Sequence, residues 1–568
     1  MKLKRLSIGT LGLLAVSGFA WSCSSKSEDC AANLNCAPYG GAVGFGGSSG
    51  AASASGSSGT SGTSGGMSGK GGSSSSGSGN GGGDGGADAS AGSGGAPPPT
   101  CDGTLGPDAD TCVISDEYGV FVSPTGIDGT ADGTQAKPYA TVTAALANIA
   151  KIKHVYVCAG DYMEPDTLQI PDRVSLYGGF TCDGGTWKYD SSVPAHLTSA
   201  KAIGAMITNA KVGVVIHDVR LDAANAPEDG TGANSFGLIV SGSQNVALKR
   251  VEIRAGKGGK GKSGTDGVNG VDGVASTDAQ NGAAGSCTNP PSLTDGPHPV
   301  PKQCESEGGN GGAARVATAY AASQDGGSGY LVSPTNGGKG GDALGNNADP
   351  GKNGVNGARG EIGAGAPAVG TFSENGYKVA SGGNGSSGKP GQGGGGGGAS
   401  LGSAACIGAT GGAGGMGGCG GDPGTGGTGG GASVALLSWQ SNVSLDGCKL
   451  VANVGGAGGD GGKAHIGGVG RTGGMGGTRD KDANVGKGGN GGEGGSGGNG
   501  GNGAGGTGGP SIALVYDGTP VTQITPSTLT FASVPSAAGK GGTLGQPTDY
   551  GPDGSKGLTQ DIYPKPQL

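Results

Sequence analysis

Apolar and polar residues alternate along this chain in short stretches, and three of those stretches share one register. Residues 214–223 (VVIHDVRLDA), 246–255 (VALKRVEIRA) and 443–452 (VSLDGCKLVA) align without gaps. Their common pattern is V-x-(I/L)-x-x-(V/C)-x-(L/I)-x-A, in which apolar positions alternate and then change face after a short corner. A period of two is the signature of a strand with one buried face. Three further stretches match one another: Ser235 to Val240, Ser433 to Leu437 and Ser511 to Tyr516. Upstream, strands are expected at 119–122, 154–157, 160–162 and 173–180. Between them, Val142, Ala145, Leu146 and Ile149 recur at helical spacing behind Thr141, a good N-cap, and predict a helix over 141–152. Repeats that cannot bury their apolar side alone must stack, which predicts a solenoid. The register places Cys448 beneath Val251 as a small, inert core thiol.

Between the repeats the pattern vanishes. The first two repeats lie 32 residues apart, a plausible coil, but the third begins 197 residues later. The gap is filled by glycine-rich text, from about Gly256 to Ala432, and a second tract runs from Gly455 to Gly509. Glycine makes up 140 of 568 residues. In 488–503, Asn490, Glu493, Ser496, Asn499 and Asn502 recur every third residue between glycine pairs. That period points to an extended helix of three residues per turn, and the scarcity of proline rejects collagen. Two readings stand. Either the tracts are disordered loops, since glycine loses the most entropy on ordering, or several such helices pack through bare glycine faces and exchange backbone hydrogen bonds. The persistent period, together with Cys406 and Cys419, speaks for the bundle, with Asn, Ser, Thr, Lys and Asp outward on a hydrated surface.

The order FVSPTG, GTQAKPYATVTAAL, VYVCAGDY, VSLYGGF over residues 118–254 resembles the N-terminal part of right-handed parallel β-helices of the pectin-lyase-like superfamily. The resemblance implies an all-β solenoid whose open end is capped by a short helix. It also implies the possibility of polysaccharide lyase chemistry, with clustered carboxylates and a basic residue on one strand face. The glycine tracts resemble the polyglycine-II bundles proposed for PE-PGRS-type surface proteins, although this chain lacks a PE domain.

The N-terminus sets the expected address. Lys2, Lys4 and Arg5 precede an apolar run from Leu6 to Phe19, too short to remain as a spanning helix, which closes on Ala20-Trp21-Ser22-Cys23. This resembles a bacterial lipoprotein signal with Cys23 as the lipidated residue, although Trp21 departs from the usual small residue. Ser24 gives no inner-membrane retention signal, so an outer-membrane, surface-exposed lipoprotein is expected. An ordinary secretory signal is the alternative. Residues 40–95 are almost entirely Gly, Ser, Ala and Thr, a flexible tether with a typical reach of about 40 Å. The remaining cysteines form close-set candidates for disulfides: Cys30/Cys36, Cys101/Cys112, Cys158/Cys182, Cys287/Cys304 and Cys406/Cys419. Without a CxxC and with five scattered histidines, no metal site or cofactor is expected. Net charge is −8, and no basic patch with aromatics argues for nucleic acid.

Candidate chemistry is sparse. Gly256 to Ser263 (GKGGKGKS) fits the P-loop pattern, but the glycine-rich text that follows cannot form the helix that a phosphate site needs. A calcium repeat is suggested only at Asp460, without recurrence. The repeat alignment stacks Arg220, Glu252 and Lys449 in one column, and His217, Lys249 and Asp446 in another. Arg220, Lys249, Glu252, Asp446 and Lys449 are therefore candidate sugar-binding residues. Alternating charges also form solvated ladders, and no catalytic residue is assigned. The expected organisation is a signal at 1–22, tether 23–100, solenoid 101–255, insertion 256–432, a rung at 433–454, insertion 455–510, and a final rung and tail at 511–568. The function expected is a non-catalytic structural or adhesive surface lipoprotein that contacts the membrane through its lipid and extracellular polysaccharide or other cells through its polar surface. A carbohydrate-active enzyme is the alternative.

Overall fold

The computed structural model describes residues 101–564, apart from 150–153, 317–322, 332–335, 339–345, 481–483 and 546–548. The signal, Cys23, Cys30, Cys36 and the tether lie outside the described residues. Within them the chain is a parallel β-helix in which successive coils give one strand to each of three parallel sheets. One coil runs Val214–His217, Val219–Asp222, Ser235–Ser241. The next runs Val246–Lys249, Glu252–Arg254, Ser433–Trp439, and then Val443–Asp446, Lys449–Val451, Ser511–Asp517. We number the sheets first, second and third in that order. The repeats stack as their spacing demands: Val214 faces Val246 and Val246 faces Val443 in the first sheet. Ser235, Ser433 and Ser511 line up in the third.

Alternation explains the core. Val214, Ile216, Val219, Leu221 and their counterparts Val246, Leu248, Val251, Ile253 and Val443, Leu445, Cys448, Leu450 turn inward and are all buried. Cys448 sits in register with Val251, and burial pushes its thiol up, so it remains protonated. Passage from the first sheet to the second is tight enough to require left-handed backbone: Asp218, Arg250 and Gly447 have φ of 55°, 51° and 60°.

The N-terminal mouth is closed by a helix, α1 (Val142–Ala147), capped by the Thr141 hydroxyl, which accepts from the Ala144 amide at 3.1 Å. It is shorter than the periodicity predicts. Asn148 leaves helical geometry and turns its side-chain amide back to the Ala144 carbonyl. The fully buried Glu164 seats the helix: its carboxylate accepts from the amides of Val142 (2.8 Å) and Thr143 (2.9 Å) and from the Thr143 hydroxyl (2.6 Å). A carboxylate at the positive end of a helix satisfies donors that have no partner within it.

Every long excursion leaves the solenoid at one corner, between the second sheet and the third. Outside that corner the rungs' hydrogen-bond register continues without a break. Glu252 pairs Lys449 in the sheet. Beyond it the amides of Ala255, Gly258, Gly261, Gly264, Gly267, Gly270 and Gly273 donate in turn to the carbonyls of Val451, Val454, Ala457, Asp460, Lys463, Ile466 and Val469. The return legs behave alike, with Gly412, Gly415, Gly418, Gly421, Gly424, Gly427 and Gly430 bonded to Gly489, Gly492, Gly495, Gly498, Gly501, Ala504 and Thr507. A constant step of three on both partners is the geometry of extended three-residue helices lying side by side. Outgoing and return layers bond to each other in opposite direction, as in Gly459 to Thr428 and Gly506 to Gly459. Segments 351–364 and 382–398 add a further layer through Gly354 to Glu493 and Gly388 to Gly421. In their described residues the tracts are an ordered bundle. A third excursion, 531–558, joins it through Gly458 to Ala537 and Gly461 to Lys540. The sequence reading leaves that segment inside the final rung and tail.

The disulfides correct the expected pairing in the insertion. Cys101–Cys112 and Cys158–Cys182 form, but Cys287 bonds Cys406 and Cys304 bonds Cys419. The segment around Ser286 lies along the start of the return leg, where it exchanges amide bonds with Ile407. Cysteines 119 and 115 residues apart therefore meet, whereas neighbours in sequence do not. By loop entropy each such link contributes up to about 5 kcal/mol, a large help to a layer that buries few apolar side chains.

Candidate functional site

Each sheet has an outer face, and the three differ. The second sheet's outer face carries the expected column: Arg220, Glu252 and Lys449 lie in adjacent register. Outward parity adds Asp222 and Arg254, which the column reading missed although they stand two residues further along the same repeats. The charges consume one another. Glu252 takes Lys449 at 3.1 Å and Arg254 at 2.5 Å, and Arg220 lies 2.8 Å from Asp222. Partial burial pushes the Glu252 carboxyl up, but hydrogen bonds from Lys449 and Arg254 outweigh it and hold the group below the usual carboxylate range.

On the first sheet, His217, Lys249 and Asp446 also stack. They do not form one site. Asp108, from the segment that begins at Cys101, reaches Lys249 at 2.9 Å and His217 at 3.9 Å. Asp446 instead accepts from Thr525 at 2.6 Å. Burial pushes the His217 imidazolium down, against the opposing pull of Asp108 and Asp218. Beside this column the corner Asp218, 1% exposed in its side chain, is gripped by Arg250 through two bonds of 2.6 and 2.8 Å and accepts from the Tyr189 hydroxyl at 2.5 Å. Burial and the Asp218 carboxylate push the Tyr189 phenol up. These contacts fasten flanking segments to the solenoid. Phe121, Tyr156, Tyr177, Phe180 and Trp187 form an aromatic cluster over the same face.

The third sheet's outer face is apolar. Phe236, Val434 and Ile512 form one column, and Ile239, Leu437 and Val515 another. A hairpin from the insertion, Thr371–Ser373 with Gly376–Lys378, lays Phe372 and Tyr377 over them. Nearer α1 this face stays open.

The glycine bundle has its own logic. Gly393 to Gly397 lie in a fully buried stretch, 391–400. A Cβ on Gly393, Gly394, Gly395, Gly396 or Gly397 would run into backbone of Glu307, Gly492, Asn336, Asn310 or Gly489. Helices at the edge need only two bare rows and keep a third for side chains. Those side chains are not merely hydrated, as the sequence reading has it. Asn353, Asn356, Asn499 and Asn502 accept the amides of Glu493, Ser496, Gly467 and Ala464, and Asp266 and Asp272 accept those of Lys463 and Val469. They close backbone groups that glycine spacing leaves over. The P-loop-like run is part of this array: the amides of Gly258 and Gly261 are already bonded to Val454 and Ala457. Among the described residues no three His, Cys, Asp or Glu side chains converge to hold a metal ion.

Comparison with known proteins adds little. The family described as "Protein of unknown function (DUF1565)" matches residues 125–200, the first coils of the solenoid. A solved structure titled "Rhamnogalacturonan lyase" is similar at 14% identity, over 26% of this chain and 38% of that one, with a TM-score of 0.14. At that score it bears on neither activity nor substrate. No curated protein shows a significant match.

Proposed function

We propose that this chain is a non-catalytic structural or adhesive protein of the outer cell surface, anchored through lipid at Cys23 and presenting a stiff glycine-helix slab to extracellular polysaccharide or neighbouring cells. The observation that supports it is the bundle itself. Long stretches of the excursions from one corner are spent on backbone packing, with side chains engaged in closing amides. Contact through such a surface is weak at each point and gains strength from repetition.

Two measurements test it with the full chain. Protease treatment of intact cells should remove the protein, and Cys23→Ala should release it from the membrane fraction. Wild-type chain should be retained on the cells' own extracellular polysaccharide. Protection from protease on intact cells would sink the surface assignment. Release of unsaturated products from polygalacturonate or alginate would replace adhesion with lyase chemistry.

A further inference from the structure

We propose that the open part of the third sheet's outer face is a binding groove for an uncharged oligosaccharide. This deepens the adhesive reading by naming a place and a ligand class. Two cavities meet there. One, of about 650 Å³, lies between α1 and the sheet and is lined by Leu146, Gln169, Ile170, Met206 and Thr208 among others. The second, of about 290 Å³, is lined by Asn209, Glu374, Asn375, Trp439 and Gln440 and shares Met206 and Thr208 with the first. Together they form one groove that runs along the sheet from the cap helix to the tip of the covering hairpin. Their combined size is that of a small-molecule site.

The lining selects the ligand. Trp439, at the end of its strand, gives a flat, half-buried aromatic surface, and Met206 and Leu146 continue an apolar floor. Around them stand the amides of Gln169, Asn209 and Asn375 and the hydroxyl of Thr208, while Thr143 and Gln440, which also line the groove, donate to Glu164 and Asp517. An apolar floor ringed by neutral donors and acceptors matches a sugar ring, which has C–H faces and a hydroxyl rim. Each charged side chain that lines the groove is acidic: Asp166, Asp172 and Glu374. Lys201 pairs Asp166 from outside at 3.3 Å, and Asp172 is occupied by the amides of Val212 and Gly213. No lysine or arginine lines either cavity; Lys201 is held by Asp166 and Lys211 donates to the Gly242 carbonyl at 3.4 Å, so the lining itself offers a polyuronate no cationic partner. The expected sugar-binding residues on the first and second sheets already have partners, Glu252 with Lys449 and Arg220, Lys249 and Asp446 with Asp222, Asp108 and Thr525, and leave this groove as the better place.

The test is affinity electrophoresis of the full chain in gels that contain dextran, hydroxyethylcellulose, polygalacturonate or polylysine. Retardation by one of the neutral glucans, with quenching of tryptophan fluorescence, is expected. Trp439→Ala should reduce it at least tenfold. Because Trp439 also packs on the apolar columns, Thr208→Arg serves as a second variant: Thr208 is exposed, so folding should survive, and retardation should still be lost. Equal retardation of Thr208→Arg and wild type would overturn the proposal, as would retardation by polygalacturonate or polylysine alone. Loss of glucan binding in these variants with unchanged retention on the cells' own polysaccharide would place the adhesion in the glycine bundle and keep the groove. The two readings thus fail separately.

Discussion

The solenoid and the glycine bundle share one hydrogen-bond register yet are held together by opposite means. In the solenoid, inward side chains fill the space between sheets, and the backbone ladder follows from their stacking. In the bundle there is nearly nothing to fill. Backbones approach until a methyl group no longer fits, and the hydrogen bonds themselves are the packing. A net stabilisation of about 0.5–1.5 kcal/mol per hydrogen bond competes with an ordering cost of about 1–2 kcal/mol per residue. On these figures hydrogen bonds alone do not hold such an array, which therefore gains from having its ends pinned. Here they are pinned by the rungs on one side and by Cys287–Cys406 and Cys304–Cys419 within.

The contrast can be broken most sharply at Gly395. Gly395→Ala sets a methyl group against the backbone of Asn336 and Gly337, so the loss should exceed the about 1–3 kcal/mol usual for overpacking. Hydrogen exchange should then accelerate across the bundle while the rungs stay protected, and unchanged bundle protection would defeat the close-approach account. The mirror experiment removes side-chain volume: Leu248→Ala, at a site 1% exposed, should cost about 3 kcal/mol in chemical denaturation. Next comes Glu164→Gln, which replaces one oxygen that accepts helix-end donors with an amide that cannot. A loss of about 2 kcal/mol is expected, with α1 fraying first by hydrogen exchange.

A smaller effect concerns pH. Since folding lowers the His217 pKa, the unfolded chain binds the proton more readily. Stability should fall as pH drops below about 6.5, the ordinary histidine value, and His217→Asn should flatten that slope between pH 7 and 5. Asp108, Asp218, Lys249 and Arg250 face this ring and are the charges to hold constant. An unaltered slope would remove His217 from the account. Finally, Gly129→Ala, where a methyl group meets nothing within 4 Å, should leave melting unchanged. A large effect there would mean that glycine content, not close approach, matters.

How far these features could be read from sequence follows the same division. Val214, Val246 and Val443 announce their stacking because alternation is written in side chains. Glu252 and Lys449 are legible as neighbours for the same reason. The period of three reveals that glycine helices exist, but which helix lies against which is carried by backbone register, and glycine leaves no mark of it. The pairing of Cys287 with Cys406 is hidden in just this way, since it depends on where a return leg lies. Likewise the groove is invisible in one repeat, because Gln169, Met206 and Trp439 come from three different coils.

Because each excursion departs and returns at the same corner, in step with the rungs beside it, the tracts can change length without any rung noticing. Adding or deleting whole triplets keeps every amide opposite a carbonyl and merely moves the far edge outward or inward. A gene encoding such a protein could tolerate expansion and contraction of its glycine codons, so size at the distal rim becomes freely adjustable while the barrel beneath stays constant.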